Sequence, residues 1–180
     1  MKTLTAIIEW YGPYTIKEAK SASKFDYEDG LYLIIGKEKY ERESHLQYIG
    51  IARSLGTRLN GVHHKIPEVK REQSIWLGEV VSPRTPGKKI KVTDRMLDLA
   101  EWAHAYFLQL PLNTKKKNTP PDRPILVYNR WWQKDYSTQY LKRPHRDWPD
   151  LIDYCGPEYN AKVVWFGQQQ IVGMYHEFAC

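Results

Sequence analysis

The sequence predicts an α+β fold in the order β-β-α-β-α, with further strands on both sides, and three features carry that reading. Residues 31–35 (LYLII) form a continuous apolar run ended by Gly36, the pattern of a strand buried on both faces. Residues 46–51 supply a second strand, which makes an antiparallel hairpin around the charged segment GKEKYERES. Thr93 precedes a helical pattern whose apolar face is Met96, Leu97, Ala100, Ala103, Phe107 and Leu108, so it reads as an N-cap.

The remaining elements follow in order. Residues 3–10 are rich in β-formers and predict an opening strand broken at Gly12-Pro13. Residues 16–24 are open between a short helix and a loop. After the hairpin, residues 52–62 carry Leu55 and Leu59 at i, i+4 spacing, which predicts an amphipathic helix. Residues 74–81 (SIWLGEVV) predict a third strand, and residues 94–110 a second helix stopped by Pro111. Residues 113–121 form a loop with a lysine run, 125–128 a strand, and 141–148 an irregular basic segment. Residues 163–166 and 171–175 close the chain as a hairpin.

A chain of 180 residues suits one domain with its own core. Lysine and arginine number 27 against 21 acids, a net charge of +6 that is compatible with a polyanionic partner without requiring one. Cys155 and Cys180 have no metal-ligand spacing, and the first apolar stretch stops at Glu9, so the expectation is a cytoplasmic, reduced setting with no membrane partner.

The hairpin and the two helices bring together residues with a common chemistry. Alternation on paired strands can aim the hydroxyls of Tyr32 and Tyr48 at one face, and Gly30 and Gly50 remove bulk where a phosphate backbone would approach. Arg58 lies on the helix after the hairpin, Glu101 sits within the later helix away from Met96 and Leu97, and Asn113 follows that helix. Phosphodiester hydrolysis needs a base for water, a cation facing the phosphoryl oxygens and a metal near the leaving oxygen. Two phenols, an arginine and a carboxylate can supply those needs, and a carboxylate with few protein neighbours suits Mg2+.

These residues resemble the GIY-YIG nuclease family. Gly30-Leu31-Tyr32 matches its first phrase, Tyr48-Ile49-Gly50 its second, and IARSLGTRL places Arg58 on its arginine. Glu101 within LDLAEWAHAYFLQLPLN matches the metal-binding glutamate, and Asn113 the asparagine that ends the motif. The resemblance implies a small mixed or antiparallel sheet flanked by helices over residues 30–113, with residues 1–29 and 114–180 as β-rich elaborations for DNA binding or dimerisation. It also implies a Mg2+-dependent (or Mn2+-dependent) DNA endonuclease acting on double-stranded DNA, most like the restriction branch, with a homodimer on palindromic sites. The assigned roles are Tyr32 as general base, Tyr48 and Arg58 on the phosphate, Glu101 as metal ligand and Asn113 as brace. Two departures stand out: a longer gap between the tyrosines, and Val62 where a histidine or tyrosine is usual, which leaves His63 ahead of His64 as the candidate. Alternatives are a homing, repair or mobile-element nuclease, and a nucleic-acid-binding module that does not cut.

Other residues divide less cleanly. Glu101 and His104 form a Glu-x-x-His pattern, but the sequence holds no second copy, so His104 reads as structural. Arg53, Lys115, Lys116, Lys117, Arg130 and Lys134 are the candidate DNA contacts, and Trp131, Trp132 and Tyr136 interleave with basic residues in a way that favours nucleic acid over a solvated face.

Overall fold

The computed structural model describes residues 3–25, 29–52, 54–60, 65–81 and 91–179. Its organising element is a single, strongly curled, mixed sheet of eight strands, not a small sheet flanked by helices. The strands are β1 (Leu4–Tyr14), β2 (Gly30–Lys37), β3 (His45–Ala52), β4 (Arg71–Val81), β5 (Ile125–Trp132), β6 (Leu151–Tyr154), β7 (Ala161–Trp165) and β8 (Gln169–Gly173). They lie in the order β3-β2-β4-β1-β5-β6-β7-β8. The physical reason for the difference is β1, which inserts at the centre. It pairs antiparallel with β4 and parallel with β5, so the N- and C-terminal segments extend the same sheet instead of decorating it.

Three helices cover this sheet among the described residues: α1 (Ile16–Phe25), α2 (Leu55–Asn60) and α3 (Asp94–Phe107). Strand alternation sorts the two faces. On β2, Leu31, Leu33 and Ile35 face a core shared with α3, while Tyr32 and Ile34 face a second core shared with Ala19 of α1 and Leu59 of α2. Thr93 caps α3 as expected, its side chain accepting a hydrogen bond from the Met96 N–H at 3.2 Å. β1 does not stop at Gly12-Pro13; the strand continues to Tyr14 with a register shift between Tyr11 and Tyr14.

The two tryptophans of β5 are structural. Alternation buries Trp131 in the α3-side core and turns Trp132 against the opposite core, and Tyr136 packs edge-on to Tyr11 at 5.2 Å. Trp148 anchors the irregular segment 141–148: it is fully buried, with Trp10, Trp76 and Trp131 around it at centroid distances of 5.0, 5.9 and 5.7 Å. Gly78 makes room for this cluster, because a Cβ there would lie 2.6 Å from the Trp10 ring.

A buried polar knot ties α3 to the sheet. Asn129 on β5 accepts from the Trp10 indole N–H at 2.8 Å, donates to the Pro149 carbonyl at 3.0 Å and lies 3.1 Å from His104 Nε2. His104 Nδ1 faces the Ala100 carbonyl at 2.8 Å. Complete burial outweighs these oxygen neighbours and pulls the His104 pKa down to about 4, so the ring is neutral at pH 7. His104 is therefore structural, turned into the core and away from Glu101.

The unfolded chain takes up this proton near pH 6.5 and the folded chain only near pH 4. Stability supplied by neutral His104 is thus complete above about pH 6.5 and is lost as pH falls towards 4, by roughly 3 kcal/mol. Urea titrations across this range should show the loss in the wild type and a markedly shallower slope in His104→Gln; equal slopes would contradict the assignment.

Candidate active site at the edge of the sheet

β3 is an edge strand, and its exposed hydrogen-bonding groups would normally face water or another chain. Here the segment after α3 covers them. The Leu112 N–H donates to the Gln47 carbonyl at 3.0 Å, and Asn113 Oδ1 and Nδ2 pair with the N–H and carbonyl of Ile49 at 3.0 and 2.9 Å. The Asn113 carboxamide thus imitates one residue of a neighbouring strand. Through it, the end of α3 is fixed against the Tyr48-Ile49-Gly50 strand.

This closure creates a cleft of about 320 Å3 lined by Tyr48, Arg58, Lys65, Glu101 and Asn113, with Lys115 and Lys116 among the rim residues. Tyr48 reaches it from β3, Arg58 from the last turn of α2 and Glu101 from α3. Four of the six expected catalytic residues therefore converge on one concavity. Tyr32 sits immediately behind, fully buried, its ring 5.9 Å from that of Tyr48 and its hydroxyl accepting from Arg58 Nε at 3.4 Å. The fifth and sixth residues differ in kind: Tyr32 is a support, and His63 lies outside the described residues, as do His64 and Arg53.

The electrostatics of the pair follow from burial. Removal from water drives the Tyr32 pKa up, the nearby Tyr48 adds to that, and the Arg58 charge only partly offsets it. Arg58 in turn is held more firmly cationic by its bond to Tyr32. A protonated phenol with no exposed surface cannot take a proton from water in the cleft, so in this conformation Tyr32 positions Arg58, and Tyr48 is the tyrosine that lines the cleft.

Gly50 has a different purpose from the one its sequence position suggests. It faces Tyr32 across the hairpin, and a Cβ there would lie 2.4 Å from the Tyr32 hydroxyl oxygen. The missing side chain accommodates the tyrosine ring, not an approaching phosphate.

Glu101 is half-buried and already holds a cation. Lys116 Nζ lies 2.5 Å from Glu101 Oε2 and 2.5 Å from Asp98 Oδ1. Burial works against the Lys116 charge, but the bonds to Asp98 and Glu101 prevail and hold its pKa above the ordinary value. Asp98, Lys65 and Thr114 complete the surroundings and were not foreseen; the i, i+3 spacing of Asp98 and Glu101 on α3 was the available signal for the first. Glu101 and Asp98 are hard-oxygen donors of the kind Mg2+ takes, and among the described residues no group of three or more His, Cys, Asp or Glu side chains comes together, so any Mg2+ here would draw most of its ligands from water.

The other expected DNA contacts lie elsewhere or are paired. Lys115 is exposed at the cleft rim, and Lys117 accepts a bond at its carbonyl from Gln109. Arg130 is bound to Glu9 and Lys134 to Glu18, and β5 lies four strand spacings of about 4.8 Å from β3. A larger cleft of about 640 Å3 beside β5 contains Arg130, Arg143 and Arg146, but each is neutralised by an acid: Glu9, Asp150 and Glu43. The charged loop between β2 and β3 is held from inside, with Arg71 Nη2 donating to the Glu41 carbonyl at 2.7 Å and His145 Nε2 2.8 Å from the Ser44 carbonyl.

Comparisons with family models, curated proteins and solved structures return no match. The likeness to GIY-YIG nucleases accordingly rests on the residues just placed.

Gly50→Ala should destabilise the fold by about 1–3 kcal/mol, because the ring must move from a packed position. Adding Tyr32→Phe, which removes the nearest atom, should recover part of that loss in denaturant titrations; strict additivity would show that the two residues do not meet.

Proposed function

We propose that this chain is a metal-dependent DNA endonuclease of the site-specific restriction type. The observation that carries the reading is the convergence of Tyr48, Arg58, Glu101 and Asn113, from β3, α2, α3 and the segment beyond it, on one cleft. A second reading, a nucleic-acid-binding module that does not cut, is favoured by one observation: Lys116 already satisfies Glu101.

In the proposed reaction Glu101 would hold Mg2+, with Asp98 one helical turn away on the same cation. That metal would supply Lewis acidity at the scissile phosphate. The Arg58 guanidinium, fixed by the Tyr32 hydroxyl, faces the phosphoryl oxygens and opposes the charge that builds on them. Tyr48 donates its hydroxyl hydrogen to a phosphate oxygen. The attacking water forms the new P–O bond as the bond to the leaving oxygen breaks, and its proton passes through solvent to that oxygen. Asn113 keeps the strand that carries Tyr48 in register with the helix that carries Glu101. Lys115 at the rim contacts the DNA backbone and adds affinity without sequence preference.

Plasmid DNA with Mg2+ is the direct assay. Wild type should yield defined fragments, Glu101→Gln should cut at least about 100-fold more slowly, and Arg58→Ala should lose about 100-fold to 1000-fold. Binding without cleavage by the wild type under varied divalent metals would select the second reading, and smearing would exclude site specificity. Lys115→Ala should weaken binding on all sequences alike and reduce the salt slope by about 1. Affinity unchanged across salt would remove that residue from the interface.

A further inference from the structure

The loop that follows Asn113 turns back along α3. Trp102 Nε1 donates to the Thr119 carbonyl at 2.7 Å, and Gln109 Nε2 donates to the Lys117 carbonyl at 3.2 Å. Immediately before these two ties Lys116 adopts φ +63°, a left-handed conformation that a residue with a side chain rarely takes. Its ammonium group is thereby delivered between Asp98 and Glu101, bonded to both and also 3.3 Å from the Asp98 carbonyl. A chain that needed Lys116 only as a DNA contact would leave it outward, as Lys115 is.

We infer that Lys116 is a tethered cation that occupies the divalent-metal position at Glu101, so that metal binds only when the lysine is displaced. This rests on the assignment of Glu101 as the metal ligand. Electrostatics supports the competition. One point between two half-buried carboxylates cannot hold a monovalent ammonium and a divalent ion together, because the two cations repel at close range in a medium of low dielectric. The arrangement also couples metal to substrate. A DNA phosphate in the cleft offers Lys116 a new anion, so duplex binding releases the carboxylates for the metal and metal binding releases Lys116 for the phosphate. The chain would then hold little metal until DNA arrives.

Manganese binding without DNA, followed by electron paramagnetic resonance, tests this without reference to cleavage. Lys116→Met should bind Mn2+ about tenfold or more tighter than wild type, and Lys116→Arg should remain as weak as wild type. Adding Glu101→Gln to Lys116→Met should abolish the gain. Equal affinity of wild type and Lys116→Met, both lost with Glu101→Gln, would overturn the competition and leave the metal site standing. Tight binding that survives Glu101→Gln, or no binding in any variant, would overturn both. In the unaltered protein, acylation of Lys116 by an amine-reactive reagent should rise when Mg2+ is added, and unchanged labelling of that residue would contradict the displacement.

Discussion

The pairing of the Asn113 carboxamide with the backbone of Ile49 is the constraint on which the rest of the cleft depends. Without it the edge of β3 would present an unpaired N–H and carbonyl, and the chain leaving α3 would have no fixed place to land. With it, the C-terminal end of α3 is held at the strand that carries Tyr48. Glu101 lies six residues before the end of α3, about 9 Å along the axis, so pinning the end of the helix sets the height of the carboxylate over the cleft. The tyrosines and Arg58 belong to one face of the sheet and α3 to the other. The site exists because the edge is where those two faces meet.

A second layer of order is electrostatic. The chain is basic overall, yet the arginines that line the larger cleft, and Lys134, are matched internally: Arg130 with Glu9, Lys134 with Glu18, Arg143 with Asp150, Arg146 with Glu43. Several of these pairs are exposed and add little stability, but each removes a candidate anchor for a polyanion. Arg58, bonded to the Tyr32 hydroxyl, and the exposed rim lysine Lys115 place positive charge at the cleft that Glu101 lines. The large basic cleft beside β5 has the greater volume and the weaker chemistry.

What could be read in advance follows the range of the interactions. The β2–β3 hairpin, the cap at Thr93 and the apolar face of α3 are short-range patterns, and each is where the residues place it. The resemblance to the GIY-YIG pattern named four of the residues that line the cleft, Tyr48, Arg58, Glu101 and Asn113. The sheet was not legible, because the choice of β1 to lie parallel to β5 and antiparallel to β4 is a pairing between segments far apart, with no local signal. β6 is only four residues long and passed unnoticed. Trp131 and Trp132 are open in the sequence between core and interface, because aromatics beside arginines serve either packing or base stacking, and the pairing of β5 is what places one in each core. The pairing of Lys116 was hidden too, since three successive lysines look alike until the backbone turns one of them inward.

The central claim, that the β3 edge cleft joins a metal at Glu101 to a phosphate at Arg58 and Tyr48, is tested most directly by anomalous diffraction from crystals of the protein with Mn2+ and a short DNA duplex. The account predicts an anomalous peak bonded to a Glu101 oxygen, a phosphate between it and Arg58, and Lys116 turned away from both carboxylates. A phosphate seated instead among Arg130, Arg143 and Arg146, with Lys116 still bound to Glu101 and no peak beside it, would contradict it.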